Sequence, residues 1–261
     1  MSYQTITVEQ KGPFVWCKLN RPEVRNAFHP AMIEELTLFA GSLPPGTRAV
    51  VLCGEGSSFC AGGDLRWMQQ SLTMNREENL QDAKRLAYMY LALDRLPVPL
   101  LGLIHGAAFG GGVGLVCVCD YAVAVDGTQF SFSEPRLGIV PACISPFVIR
   151  KIGPGHARAL FMTAERFDVR KAFEIGMIHH IASDAEAAQS SIESKLQEIH
   201  ECGPQALFHT KNLLFRLLFT SSDQDQIEIA ADLLASVRVS DEGQEGLRAF
   251  LEKRKPGWNR E

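Results

Sequence analysis

VPLLGLIHGAAFGGGVGLVCVC, residues 98–119, is the stretch on which the fold turns. It runs for twenty-two residues with His105 as its one group able to carry charge. A membrane span needs about 20 apolar residues, so length alone would permit one. Pro99 and six glycines argue otherwise. They break the segment into a buried strand over 99–105, a glycine turn, and a helix-like piece over Gly110–Cys117. Tyr121–Val125 then returns as a strand.

Outward from this segment the same alternation continues. Ala49–Cys53 is a continuous apolar run, as a strand covered on both faces requires. A glycine-rich loop, Gly54–Gly63, follows it, and Asp64 is placed to cap a short helix reaching Gln69. Residues 76–95 form an amphipathic helix that ends before Pro97. Upstream, residues 3–20 read as two strands about the Lys11-Gly12 turn, and Pro30 opens a helix with Met32, Ile33, Leu36 and Phe39 as its apolar stripe. Phe130–Phe132 is a short strand. Downstream, helices are expected over 146–152, 154–163, 168–175, 184–200, 203–219, 223–236 and 240–254. Strands alternate with helices first and helices take over later, which describes an α/β core with a helical extension.

The remaining composition narrows the function. A chain of 261 residues with 46% apolar and 21% charged residues is globular, not disordered, collagenous or a coiled coil. Its net charge of −4 argues against a broadly basic nucleic-acid binder. The seven cysteines include no CxxC pair and lie mostly in apolar runs, so reduced thiols in a cytoplasmic protein are expected. The opening MSYQTITVEQKG lacks the basic-then-apolar pattern of a secretory signal. The histidines show no metal-ligand spacing, and no metal site is expected.

Two glycine loops and one acid are the candidates for chemistry. Gly110-Gly111-Gly112-Val113-Gly114 follows a strand and enters a helix, where free N–H groups can meet an oxygen. It is not a dinucleotide fingerprint, because Leu115 stands where the third glycine belongs. Gly106, Gly110 and Gly114 also recur at a spacing that serves close packing. Phe59-Cys60-Ala61-Gly62-Gly63-Asp64-Leu65 is a second such loop. Two loops of this kind can together form an oxyanion hole. Asp64 reads as a cap more readily than as an acid–base group. Glu134, in a turn-rich apolar stretch, is either a buried proton-transfer group or half of a surface ion pair with Arg136. His105 reads as a satisfied core histidine. Trp67 and Met68 belong to a pocket wall or, more simply, to the core. No G-x-S-x-G elbow is present.

Taken together, several segments resemble the crotonase (enoyl-CoA hydratase/isomerase) superfamily. They are Leu19–Phe28, Phe59–Leu65, His105–Phe109 with the glycine run, Glu134–Pro141, and Ala249–Pro256. The resemblance implies an α/β fold: a crotonase-like spiral of repeated ββα/βαβ turns with a helical C-terminal trimerisation region. Residues 1–200 would form the core binding acyl-CoA and residues 201–261 the oligomerisation region of a homotrimer or dimer of trimers. It implies an acyl-CoA thioester substrate and no cofactor beyond the coenzyme A of that substrate. By position, the backbone N–H groups of Ala61 and Gly111 match the oxyanion hole. Glu134 matches the second of two glutamates in the best-known hydratases, and Gly114 stands in place of the first. Hydration of a 2-enoyl-CoA by one glutamate is the expectation, with double-bond isomerisation as its rival and a non-catalytic acyl-CoA or RNA-binding relative as the third reading.

The surroundings of Gly111–Cys117 and Arg136–Val148 resemble bacterial methylglutaconyl-CoA hydratases of leucine or acyclic-terpene degradation. That likeness implies a branched acyl group. A distal carboxylate on it would need a cation, for which Arg66 and Arg85 are candidates, although both also suit a solvated surface. For coenzyme A itself, position implicates Arg25, Ala27, Gly62, Gly63, Asp64 and Leu65, with Gly114 beside the substrate and Lys253 near the phosphates. Arg248–Arg260 holds five basic residues against one acid, which suits a phosphorylated ligand or, equally, a helix C-terminus.

Overall fold

The computed structural model describes residues 3–259. It divides into two compact units. The first holds the described residues up to Leu96 together with Leu100–Glu193; the second holds Pro97–Pro99 and the described residues from Ser194 onward.

The first unit is built on apolar strands. β1 (Ile6–Lys11) and β2 (Phe14–Leu19) form an antiparallel hairpin. After α1 (Pro30–Ala40) comes β3 (Ala49–Gly54), parallel to β2, with Val50, Val51 and Leu52 fully buried. Such a run has no polar face because the sheet is covered on both sides. Two helices follow, α2 (Leu65–Ser71) and α3 (Arg76–Asp94), before β4 (Leu100–Ile104) and β5 (Ala107–Phe109). The segment 98–119 is thus strand, second strand and then α4 (Gly111–Cys117), all within the fold. No helix among the described residues is long and apolar enough to cross a membrane.

β6 (Tyr121–Val125), β7 (Gln129–Ser131), α5 (Ser145–Thr163), β8 (Arg166–Asp168), α6 (Val169–Glu174) and β9 (His180–Ala182) complete the set. They make two sheets: a six-stranded one ordered β1-β2-β3-β4-β6-β9 and a three-stranded one ordered β5-β7-β8. β4 and β6 each pass directly to a small-sheet strand, β5 and β7, so the chain climbs as a spiral through two layers. The loop after β3 joins this pattern through a parallel bridge from Cys60 to Ala108.

The expected helices 146–152 and 154–163 are two helical pieces of α5, separated at Gly153, where φ is 74°. β5, β8 and β9 go beyond the expected strands. Each is three residues long, too short to display a two-residue period. The helix expected from 168 begins at Val169, with the Asp168 carboxylate accepting from the Lys171 N–H as its cap.

α7 (Ala185–Glu201) runs past the boundary of the units. In the second unit α8 (Pro204–Leu218), α9 (Asp223–Val239) and α10 (Asp241–Leu251) are tied end to end. Glu242 accepts from the N–H groups of Gln205 and Ala206 at the start of α8. Arg254 grips Glu245 through both terminal nitrogens, at 2.7 and 2.9 Å. Leu214, Leu218, Phe219, Leu247, Phe250 and Leu251 stand exposed on these helices.

One buried polar side chain organises the loops that enter the site. Asn26 is fully buried at φ 55°, a left-handed conformation that asparagine tolerates better than most residues. Its Nδ2 donates to the carbonyls of Glu55 and Ser58, and its Oδ1 accepts from the Arg21 N–H, each at 2.8 Å. Replacing it takes the partner from three backbone groups at once, the buried contact to the Ser58 carbonyl among them. Asn26→Ala is expected to lose about 3 kcal/mol or more of stability, measured by urea unfolding.

Candidate active site

The loop Phe59–Asp64 is stitched into the fold on both sides. On one side Cys60 donates to the Ala107 carbonyl and accepts from the Phe109 N–H. On the other, Phe28 donates to Gly62 and accepts from Asp64. Such a parallel bridge turns the N–H of the intervening Gly63 to the opposite side. Gly62 permits this crossing: its φ is 95°, and a Cβ there would lie 2.9 Å from the Phe109 carbonyl oxygen.

Gly63 lines a cavity of about 260 Å³ with Gly111, Glu134, Phe28, Trp67 and Met68. Ala61 does not join them, and the expectation of a donor there is corrected. Its N–H is already given to the Arg25 carbonyl at 3.0 Å. Among the described residues, the N–H groups of Gly63 and Gly111 have no such acceptor. Gly111 opens α4, where the first-turn N–H groups have no intrahelical partner. Sequence could not separate Ala61 from Gly63, because the distinction rests on a carbonyl thirty-six residues earlier.

Glu134 enters from the short helical turn Glu134–Leu137. It makes no ion pair with Arg136, whose Nε donates instead to the Ala164 carbonyl at 2.9 Å. The Glu134 carboxylate faces the cavity, and its Oε2 is buried without a hydrogen-bond partner. Burial raises its pKa above the ordinary carboxylate value, opposed by a hydrogen bond from its own backbone. Gly110, at φ 49°, leaves it open: a Cβ there would lie 3.1 Å from Oε1.

Gly114 stands behind the cavity wall, not on it, which corrects the expectation that it meets substrate. It is buried, and a Cβ on it would collide with Ile144 and sit 2.9 Å from the Tyr90 ring. The fully buried Tyr90 donates its hydroxyl to the Gly111 carbonyl at 2.7 Å. A phenol anchoring α4 thus fills the space beside residue 114.

The residues implicated in coenzyme A binding separate. Arg25, Ala27, Gly62, Gly63, Asp64 and Leu65 share one neighbourhood of the first unit, with Arg25 and Leu65 exposed. Arg21, which the motifs did not single out, ties it together. It donates to the Ala27 carbonyl and to Asp64 Oδ2, at 2.7 and 2.8 Å. Burial works against the charge of Asp64, but Arg21 and the Arg66 N–H outweigh it and lower its pKa. Asp64 is therefore the expected helix cap, and Arg66 is exposed. His105 is half-buried with Nε2 2.9 Å from the Gly56 carbonyl oxygen. Lys253 lies in the second unit, exposed, at φ 52°. Its neighbour Arg254 is engaged by Glu245 and Glu252, and Arg260 lies outside the described residues.

Known proteins resemble this chain over nearly its whole length. A model of the enoyl-CoA hydratase/isomerase family matches residues 9–261. An enoyl-CoA hydratase structure from Shewanella pealeana is 38% identical, with a TM-score of 0.93, covering 98% of this chain and 96% of its own. The structure of AtuE from Pseudomonas aeruginosa is 36% identical, with a TM-score of 0.95 over 98% of this chain and all of that one. A crotonyl-CoA hydratase of Syntrophomonas wolfei is 27% identical over 98% of each chain.

The packing about Gly114 makes a direct prediction. Gly114→Ala should destabilise by about 1–3 kcal/mol through overpacking, despite the better helix propensity of alanine. Gly114→Glu should be less stable still and gain no activity, which thermal unfolding and assay of the soluble fraction would show.

Proposed function

The chain belongs to the enoyl-CoA hydratase/isomerase family, and on that premise we propose that it adds water across the double bond of a 2-enoyl-CoA thioester, or removes it in reverse. The observation that carries this reading is the Glu134 carboxylate, unpartnered at Oε2, on the same cavity as two free backbone N–H groups. Gly63 and Gly111 are the donors for the thioester oxygen. As water attacks the β-carbon, that oxygen takes on enolate charge. Each donor is worth about 3–4 kcal/mol at that point. Glu134 accepts the proton of the attacking water and returns a proton to the α-carbon, so one carboxylate serves both ends of the addition.

Isomerisation is the second reading. Its support is the packing at Gly114, which leaves Glu134 as the one lining carboxylate with an unpartnered oxygen, Asp82 being held by Trp67 and Arg85, where the best-known hydratases of the resembled superfamily have two catalytic glutamates. A single base that removes a proton and returns it along the chain needs no more. The two reactions differ in mass: hydration adds one water and isomerisation adds nothing.

The acyl group we propose is branched, of the methylglutaconyl type. Its support is the likeness of the segments around Gly111 and Arg136, together with the mostly apolar wall from Ile139 to Ile144. The described residues lining the cavity include no lysine or arginine. A distal carboxylate would therefore depend on Arg85, which donates to the lining residue Asp82 at 3.0 Å. Arg66 is exposed on α2 and does not line the cavity. The exposed apolar side chains of α8 and α10 support self-association as a trimer or dimer of trimers, and seven free cysteines suit a reducing cytoplasm.

Purified protein with crotonyl-CoA, methylglutaconyl-CoA and a 3-enoyl-CoA, followed by mass spectrometry, decides between hydration and isomerisation. Glu134→Gln should lower kcat by about 10²–10⁴-fold. Its stability should move the other way. A carboxyl whose pKa is raised by folding loses stability as pH rises between its unfolded and folded values. At neutral pH the carboxylate therefore penalises the fold, and glutamine removes that penalty. Glu134→Gln should thus be at least as stable as wild type at pH 7, and the two should converge in acid. Unimpaired turnover by this variant would remove Glu134 from the mechanism.

A further inference from the structure

One wall of the cavity is held by a polar network that the chemistry does not use. Trp67 lies on α2, a seven-residue helix with no fully buried side chain and with Leu65 and Leu72 exposed at its ends. So short a helix has little stability of its own. The Trp67 indole Nε1 donates to Asp82 Oδ2 at 2.8 Å, across from α3. Asp82 is only 6% exposed, and its other oxygen accepts from Arg85 at 3.0 Å. Asn79, one turn earlier on α3, donates to the carbonyls of Met74 and Asn75, closing the turn between the helices. Trp67, Asn79 and Asp82 all line the cavity, and Trp67 lies beside Gly63.

Trp67 stands on the wall of this cavity of about 260 Å³, so an acyl chain lengthened in its direction meets the indole.

We propose that Trp67, clamped by Asp82, sets the upper size limit of the acyl group, with Asp82 acting as a positioning residue for the indole. This rests on the acyl-CoA reading of the cavity but not on the reaction performed there. An aromatic side chain tethered at its polar end is a stiff wall, because the indole body packs while its N–H fixes the ring orientation. Without the tether α2 is free to shift outward, and the limit relaxes.

The test uses saturated thioesters, which bind without reacting. Calorimetry of the full chain with butyryl-CoA, isovaleryl-CoA and octanoyl-CoA gives the preference for short acyl groups. Wild type is expected to favour butyryl-CoA over octanoyl-CoA by about tenfold or more. Trp67→Ala should erase that ratio. Asp82→Leu, of similar shape but unable to accept the indole N–H, should move it the same way. Asp82→Asn, whose amide oxygen still accepts, should keep it. A merely structural role for Asp82 would weaken all three ligands alike and leave the ratio unchanged, and that result overturns the clamp. So does a wild type that binds octanoyl-CoA as tightly as butyryl-CoA, or a Trp67→Ala variant with an unaltered ratio. Parallel assays with crotonyl-CoA separate the two claims. Absent turnover with the binding ratios intact would defeat the hydratase reading and leave the size limit standing. Failure to bind any acyl-CoA would defeat both.

Discussion

The parallel bridge between Cys60 and Ala108 is the contact on which the site depends. It is two hydrogen bonds between short, irregular pieces of chain, and either piece alone would be a loop. Their union brings the segment after β3 against the strand that precedes α4. Gly63 and Gly111 reach one cavity because of it, although they lie forty-eight residues apart in sequence. Backbone donors cannot be supplied by exchanging side chains. Their aim is fixed only by how the main chain is tied down, and here it is tied on both sides. Asn26 and Arg21 perform the same service a layer further out, one for the carbonyls of the loop and the other for its cap.

Against this rigid backbone, Glu134 is deliberately underdetermined. Most buried carboxylates are satisfied by neighbours, as Asp64 is by Arg21 and Asp82 by Trp67 and Arg85. Satisfaction holds a charge in place, and for Asp64 it lowers the pKa as well. Glu134 lacks it at one oxygen, and its burial favours the protonated form. A group in that condition is suited to taking up a proton. The three acids show how similar side chains come to differ through what surrounds them: Asp64 caps a helix, Asp82 is held by an indole and a guanidinium, and Glu134 is left with an unpartnered oxygen on the cavity.

Much of this was legible in the residues. The apolar runs of β3 and β4, the glycine punctuation of 98–119 and the capping role of Asp64 all follow from local chemistry, and the structure agrees. What escaped has a common cause. β5, β8 and β9 are strands only because a neighbour pairs with them, and three residues carry no period. Ala61 and Gly63 are both small residues in one loop, and only the Arg25 carbonyl tells which N–H is spent. The choice for Glu134 between proton transfer and an ion pair with Arg136 turned on the Ala164 carbonyl, a partner distant in sequence. Trp67 looked at least as much like core as like wall, because the indole bond to Asp82 crosses between helices. Local propensities travel with the chain, whereas the state of a donor or an acid belongs to the assembled neighbourhood.

The fit of Tyr90 beside Gly114 has a consequence for how this site can change. A carboxylate at residue 114 needs the tyrosine ring and Ile144 to withdraw first. A smaller residue at position 90 leaves a hollow in the core and releases the Gly111 carbonyl. Each step alone is therefore a loss, and only the combination could be a gain. Two-carboxylate catalysis is thus separated from this chain by a valley that single substitutions do not cross. One-step variation can reach the cavity wall and the surroundings of Glu134, but not a second carboxylate at residue 114, so the packing there is the most conservative feature of this pocket.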